Sequence, residues 1–256
     1  ALDRSLSRTG RPLDEVLARA GSSQRGLPLF RARSPLLHFV ACSPSIIQVA
    51  PDWPPSTRVT GAWVDPSPPT PLSDELSAFL GEGAQPIVVA FGSMAGASDA
   101  VLDAAMATML DGGRRVIVQG GSAASVRSPN LARIGAVDHR ALFPRAAAVI
   151  HHGGAGTTHA ACTAGVPSVV VPHVGDQPYW ADRLHRLGVA PRPQPVSKLR
   201  AAELAESALS AAADPQMRGR AQQLAARLAA EDGLGAAVAS LETLGPGFVS
   251  PMAPSS

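Results

Sequence analysis

"AAVIHHGGAGTTHAACTAGVPSVVVP", residues 147–172, places an apolar run, a Gly/Thr turn, a helical segment and a second apolar run end to end. The runs Ala147 to His152 and Pro167 to Pro172 are hydrophobic without alternation, the pattern of a strand covered on both faces. Between them "TTHAACTAG" reads as a helix stopped by a glycine. Strand, helix and strand in that order make a βαβ unit with parallel strands.

The same grammar continues on either side. "PIVVAF" (Pro86 to Phe91) and "RVIVQG" (Arg115 to Gly120) are two more doubly apolar runs. Helical segments accompany them: one from Ser73 as N-cap, "SDAVLDAAMATMLDGG" capped by Ser98, a short "HRALFPRA", and "PYWADRLHRLG" ending at Gly188. Repeated strand-helix units with right-handed crossovers predict an α/β fold, a doubly wound parallel sheet of Rossmann-like type. Two Ala-rich amphipathic helices, roughly Lys198 to Ala213 and Gln216 to Leu244, follow, and "GPGFVSPMAPSS" reads as a flexible tail. Before this pattern come a helix over "RPLDEVLARAG" (Arg11 to Gly21), a strand over "PLLHFVACS" (Pro35 to Ser43) and prolines crowded between Ala50 and Pro71. Such prolines favour extended backbone and read as a linker. The expected layout is a remnant of a preceding domain over 1–58, a linker over 59–72, the main domain over 73–244 and the tail over 245–256. No internal repeat is visible.

Composition narrows the class of partner. The chain has 256 residues, 45% hydrophobic and 16% charged, enough to bury a sizeable core. A net charge of +2 from 22 basic and 20 acidic residues, without a block of one sign, argues against nucleic acid. No apolar run reaches the roughly 18 residues of a membrane span. The start does not read as a signal peptide, so the expected location is the cytoplasm. Cys42 and Cys162 stand far apart and form no CxxC, which predicts two small buried hydrophobes rather than a zinc site or disulfide framework. The first residue is not Met, as expected for a processed chain or one cut from something longer.

In a doubly wound sheet, ligands sit beyond the carboxyl ends of the strands. After "AAVIHH" comes "GGAGTT". Gly153, Gly154 and Gly156 permit positive φ and close backbone approach, and a helix starting near Thr157 aims its free N–H groups at the loop. Thr157, Thr158 and His152 add side-chain donors, and together they predict a phosphate or diphosphate site. A tight turn with core histidines would explain a lone His or Gly, but not the whole run. A dinucleotide fingerprint is imitated by Gly154, Gly156 and Asp176, about twenty residues beyond Gly156. It fails because His159 occupies the third glycine position and Asp176 lies beyond the strand tip in "PHVGDQ".

Three motifs in order, "IVVAFGSM" (Ile87 to Met94), "LFPRAAAVIHHGGAGTTHAACTAGVP" (Leu142 to Pro167) and "DQPYWADRLHRLGVA" (Asp176 to Ala190), resemble the donor-binding half of nucleotide-sugar-dependent glycosyltransferases of the two-Rossmann-domain (GT-B) type. The nearest subgroup is the bacterial enzymes that glycosylate antibiotics, sterols and other lipids, with the wider UDP-glycosyltransferases. The resemblance runs from about Val59 to Leu244 and implies roles for single residues. His152 would contact the α-phosphate. Gly154, Ala155, Gly156 and Thr157 would hold the diphosphate, with Ser93 also facing it, and Asp176 and Gln177 would bind sugar hydroxyls. The base would meet the chain near Val137 and His139, largely through backbone groups. Tyr179 and Trp180 read as packing residues.

The resemblance further implies a UDP- or dTDP-sugar donor, a small lipophilic acceptor and an inverting transfer. No Asp-x-Asp pair occurs, so neither a metal nor another cofactor is expected. The catalytic base belongs to an acceptor-binding half that would act in cis or in trans, and no catalytic residue is expected in this chain. His38, in an apparent strand, does not match the base position and reads as a buried or half-buried histidine. Two functions stay open: the donor half of a glycosyltransferase, and a stand-alone or truncated non-catalytic nucleotide-sugar binding module.

Overall fold

The computed structural model describes residues 37–91, 99–120 and 125–244. The chain divides into a small unit, Ala1–Val40, Ala50–Arg58 and Ala237–Ser256, and a large one, Ala41–Val49 and Val59–Ala236. In the small unit, β1 (His38–Val40) pairs with β2 (Thr57–Val59), and the His38 N–H donates to the Ser56 carbonyl at 3.0 Å. His38 is exposed on this short strand, not buried as its apolar neighbours suggested. Of the strand expected over 35–43, residues 35 and 36 lie outside the described residues, and beyond Val40 it gives way to a turn at Ser43, whose carbonyl accepts from Ile46 and Ile47. The expected helix over 11–21 lies outside the described residues.

The large unit is built on a six-stranded sheet. Its strands are β3 (Ile87–Ala90), β4 (Val116–Gln119), β5 (Ser125–Ser128), β6 (Leu131–Ile134), β7 (Ala148–His151) and β8 (Ser168–Val170), in the order β5-β6-β4-β3-β7-β8. Five are parallel and β5 is an antiparallel edge. The four strands marked in the sequence are all present. The other two escaped because β6 buries only every second residue, with Arg133 among the others, and β5, "SVRS", carries little apolar signal.

Helices cover both faces, and the strand period of two shares out the core between them. Ile87, Val89, Ala148 and Ile150 pack with Met106 and Met109 of α2 (Asp99–Asp111) and Leu204 and Ala208 of α6 (Ala201–Ala213). Val88, Ala90, Ile117 and Val149 face the other way, onto Leu76 and Phe79 of α1 (Asp74–Gly81), Leu142 of α3 (His139–Leu142) and Ala161 of α4 (Ala155–Thr163). Ser73 caps α1 as expected, accepting from the Leu76 N–H at 3.3 Å. The remaining helices are α5 (Gln177–Arg186), α7 (Pro215–Ala229) and α8 (Gly233–Glu242). The single helix expected over 216–244 is thus two. The chain breaks at "EDG", where the Asp232 carboxylate accepts the Gly235 N–H at 2.8 Å and starts α8.

Strand order reverses between β3 and β7. From β3 the chain winds through β4 to β6, then returns past both to lay down β7 and β8 on the other side. The helices that follow β3 and β7, α2 and α4, pack on opposite faces of the sheet, the arrangement that opens a crevice at the carboxyl ends of these strands. Among the described residues no helix is long and apolar enough to cross a membrane.

Candidate functional site

Ala90 and His151 are register partners at the ends of β3 and β7, so the crevice opens directly above them. Ser93, expected to face it from the β3 side, lies outside the described residues.

The two histidines that end β7 part company. His151 has no exposed surface, and burial, reinforced by His152 and His139, pushes its pKa down to about 3. It is a neutral ring whose Nδ1 accepts the Gly153 N–H at 3.1 Å, which leaves the hydrogen on Nε2. His151 therefore ties the turn to the strand from inside. His152 is half-buried, and its Nδ1 is a buried atom with no hydrogen-bond partner. Burial first and His173 second hold its pKa below the ordinary value, while Asp176 pulls the other way.

The glycines do three different things. Only Gly153 uses positive φ, at 87°, and a Cβ there would lie 2.8 Å from Val170 Cγ1 and 3.2 Å from the Gln177 carbonyl oxygen. Gly154 has an ordinary φ of −63°. What it needs is room, since a Cβ would sit 2.4 Å from His152 Nε2. Gly156 is helical, with nothing within 4 Å of where a Cβ would be, so its exposed backbone is open to approach. The expectation of positive φ at all three is corrected at Gly154 and Gly156.

Helix α4 begins at Ala155, two residues before the expected Thr157, with Gly154 as an N-cap that has no side chain to offer. The first backbone bond of the helix runs from the Thr158 N–H to the Gly154 carbonyl at 2.9 Å. The N–H groups of Ala155, Gly156 and Thr157 precede it and have no intrahelical acceptor. Three convergent donors at the positive end of a helix dipole form an anion cradle. Thr157 is half-buried beside it, while Thr158 points inward, its Oγ1 buried and without a partner.

The β8 loop faces this turn. Asp176 occupies the N-cap position of α5 but makes no capping bond with its side chain, contrary to the simplest reading of an acid before a helix. Its Oδ2 instead accepts the indole N–H of Trp180 at 2.7 Å, and the residue is otherwise exposed. Gln177 is buried, and its Oε1 accepts both the His173 N–H (2.7 Å) and the Val174 N–H (3.1 Å). The carbonyl end of this amide is thereby engaged in the turn. Trp180 is buried, in keeping with a packing role, whereas Tyr179 is exposed and its hydroxyl accepts the Gln48 N–H at 3.2 Å. His173 and Gln119 belong to the crevice but were passed over in the sequence, where each is one polar residue closing an apolar run.

Around Val137 and His139, Asp138 organises the loop. Its carboxylate caps α3 through the Arg140 N–H (2.9 Å), pairs with the Arg140 guanidinium (2.8 Å) and accepts the Thr70 N–H (3.0 Å). The hydrogen bonds from Arg140 hold its pKa well below the usual carboxylate range. Arg140 also donates to the carbonyls of Asp65 (2.9 Å) and Ser67 (2.8 Å) in the Pro-rich segment. The His139 ring stacks on Phe143 at 4.2 Å and pairs with Gln119 Oε1 at 2.8 Å, so its side chain is committed within the fold.

His159, the residue that spoils the dinucleotide fingerprint, has a structural post. Its Nδ1 donates to the Ala155 carbonyl (2.8 Å) and its Nε2 accepts the Ser43 N–H (3.1 Å), fastening residues 41–49 to α4. A mainly apolar cavity of about 450 Å³ runs along the same helix from Ala155 and Gly156 to Ala164, walled by Trp63, Val64 and Cys42. Cys42 is accordingly half-buried, not a core residue, whereas Cys162 is buried and its thiol is pushed up to about 12.

Comparison with known proteins places this geometry. Residues 100–244 match the family described as the erythromycin biosynthesis protein CIII-like, C-terminal domain. The chain is 39% identical over 220 residues to an O-mycaminosyltylonolide 6-deoxyallosyltransferase of Streptomyces fradiae, covering 82% of this chain and 52% of that protein. It is 43% identical over 185 residues to a vancomycin aglycone glucosyltransferase of Amycolatopsis orientalis, covering 71% and 44% respectively. The chain thus spans about half the length of the curated relatives it matches. In fold it is similar to the glycosyltransferase of kitacinnamycin (TM-score 0.65, 20% identity, 92% of this chain and 61% of that one) and to a calicheamicin glycosyltransferase (0.62, 21%, 91% and 59%). The switch-point crevice, the uncapped helix and the matched sequence agree: the chain belongs to the erythromycin biosynthesis protein CIII-like family of glycosyltransferases and carries its carboxyl-terminal domain.

Proposed function

We propose that the chain is the donor-binding half of an inverting glycosyltransferase that moves a sugar from a UDP- or dTDP-sugar to a hydroxyl of a small lipophilic acceptor. The observation that carries this reading is the pairing of an open helix N-terminus with an exposed, half-engaged carboxylate, Asp176, in one crevice. The unpaired N–H groups of Ala155, Gly156 and Thr157 suit a diphosphate, and Asp176 keeps one oxygen free for a sugar hydroxyl. Relatives named for sugar transfer to O-mycaminosyltylonolide, to the vancomycin aglycone and to a sterol support the substrate class.

In the proposed reaction an acceptor oxygen attacks the anomeric carbon from the face opposite the diphosphate. The bond from that carbon to the phosphate oxygen breaks, and the nucleoside diphosphate leaves with the electron pair. The acceptor proton passes to a base supplied by an acceptor-binding domain, in cis or in trans. Charge gathers on the leaving phosphate through a transition state of oxocarbenium character. Donors fixed in advance at the helix terminus stabilise that charge without reorganisation. His152, neutral and half-buried, adds one N–H to the α-phosphate. The proposal assigns leaving-group stabilisation to these groups, with no metal and no other cofactor.

Isothermal titration of the chain with UDP and with dTDP tests the reading. One of the two binds, with Kd at or below the millimolar range, and no sugar is transferred by the chain alone; absence of binding to both sinks the proposal.

A further inference from the structure

The imidazole of His159 is fixed on three sides. Its Nδ1 lies 2.8 Å from the Ala155 carbonyl oxygen, its Nε2 accepts the Ser43 N–H at 3.1 Å, and its ring meets the Trp180 indole edge-on with centroids 5.3 Å apart. A carbonyl only accepts, so the hydrogen sits on Nδ1, and Nε2 keeps the lone pair that the Ser43 N–H needs. Burial holds the pKa of His159 below its ordinary value, which favours this neutral form. Ser43 is anchored in turn. It has no exposed surface, and its Oγ donates to Glu231 Oε1 at 2.7 Å while accepting the Ser45 N–H at 3.0 Å. A chain of hydrogen bonds thus runs from Glu231 through Ser43 and His159 to Ala155, the first residue of α4.

The group on which this chain ends matters to the crevice. The Ala155 carbonyl and the Gly156 N–H belong to one rigid trans peptide plane and point in opposite directions. That N–H is one of the three at the start of α4 without an intrahelical acceptor. A carbonyl oxygen has two lone pairs, so the imidazole bond adds to the helical one. It steadies the plane, which fixes the direction of the N–H on its far side, and it polarises the amide, which makes that N–H a stronger donor. We propose that His159 is a positioning residue of the diphosphate cradle, its Nδ1–H holding the Ala155–Gly156 peptide so that the Gly156 N–H is aimed and polarised before the ligand arrives. This rests on the reading of the chain as a nucleotide-sugar donor half. Donors set in advance limit the ordering that binding requires. The two ring nitrogens then have separate duties: Nδ1 serves the cradle and Nε2 fastens residues 41–49.

Three variants of the full chain separate those duties, each read by calorimetry with UDP and with dTDP and by thermal unfolding. His159→Gln puts an acceptor near the position of Nε2 and nothing at Nδ1. His159→Asn puts an amide nitrogen near Nδ1 and nothing at Nε2, and His159→Phe keeps a ring but loses both. For whichever diphosphate the wild type takes, affinity falls by about three- to fivefold in His159→Gln and His159→Phe, up to the worth of one hydrogen bond, and stays within about twofold in His159→Asn. Thermal stability follows the other nitrogen, with His159→Gln above His159→Asn and His159→Phe. Wild-type affinity in His159→Gln overturns the proposal. Affinities that fall in the same order as the stabilities also overturn it, because a residue that only fastens 41–49 is rescued by Gln and not by Asn. Should the wild-type chain bind neither nucleotide, the donor-half reading fails and takes this inference with it, a result distinct from either of those.

Discussion

Two neighbouring turns, β7 to α4 and β8 to α5, would serve the proposed donor recognition in opposite ways. Both leave parallel strands at the same end of the sheet and lead into helices whose N-caps make no side-chain cap bond. The first exposes backbone: glycines strip away side chains and leave the helix N–H groups open to the diphosphate proposed above. The second exposes side chains: Gln177 ties up the local amides and Trp180 orients the Asp176 carboxylate. A diphosphate carries the same charge whichever sugar it bears, so fixed backbone donors suit it. Hydroxyl patterns differ between sugars, and adjustable side chains suit those.

The turns touch at Gly153, which makes it the place where both break at once. Gly153→Ala sets a Cβ against Val170 and the Gln177 carbonyl in a conformation unfavourable to L residues. The expected cost is about 2–4 kcal/mol of folding stability, read as a lower denaturation midpoint, with binding of diphosphate and sugar nucleotide both impaired. If only diphosphate binding suffers, the two turns are not coupled through this contact.

Next in size is the contrast between His152→Ala and Asp176→Asn. The first weakens UDP or dTDP binding by about 1.5–3 kcal/mol, the scale of a charge-assisted hydrogen bond. The second spares the bare diphosphate and weakens only its sugar conjugate, by about 1 kcal/mol. Titration of both variants with both ligands would undo the division of labour if the losses track each other.

Acid acts on the first turn from within. The folded-state pKa values of His151, His152 and His159 all lie below the unfolded value of about 6.5, chiefly through burial. Below that pH the unfolded chain binds protons that the folded chain refuses. Their stabilisation is thus fully present above about pH 6.5 and is lost as pH falls toward the folded values. For His151 the window extends to about 3, with a slope of about 1.4 kcal/mol per pH unit. Thermal unfolding from pH 7.5 to 5 checks this, and a His151→Asn variant with an equally steep decline would remove His151 as a contributor.

The smallest effect belongs to Gly156→Ala. Open space and helical backbone predict a gain of about 0.5–1 kcal/mol in folding stability. Nucleotide affinity falls if the ligand lies against this backbone, and a variant that is stabilised with unchanged affinity moves the diphosphate away from Gly156.

The two turns also differ in how openly the sequence declares them. The β7 turn was legible because its chemistry lies in glycines and a helix start, which are local signals, and the four central strands were legible because burial on both faces leaves no polar interruption. At the β8 turn, Asp176 and Gln177 stood out while His173 did not. Its ring meets Phe91, far away in sequence and brought near only by the strand order. Gln119 was hidden in the same way, since its partner His139 arrives through β6. His151 and His152 look equivalent as letters, and strand pleating alone decides which is interior. Strands β5 and β6 were missed because an edge position and a half-buried alternation lack the continuous apolar run.

Arg140 and Asp138 give the Pro-rich segment one further property. Two carbonyls, at Asp65 and Ser67, and one amide, at Thr70, are spliced to the loop that carries Val137 and His139. Prolines stiffen the span between these anchor points, so the segment behaves as a taut strut with almost no slack.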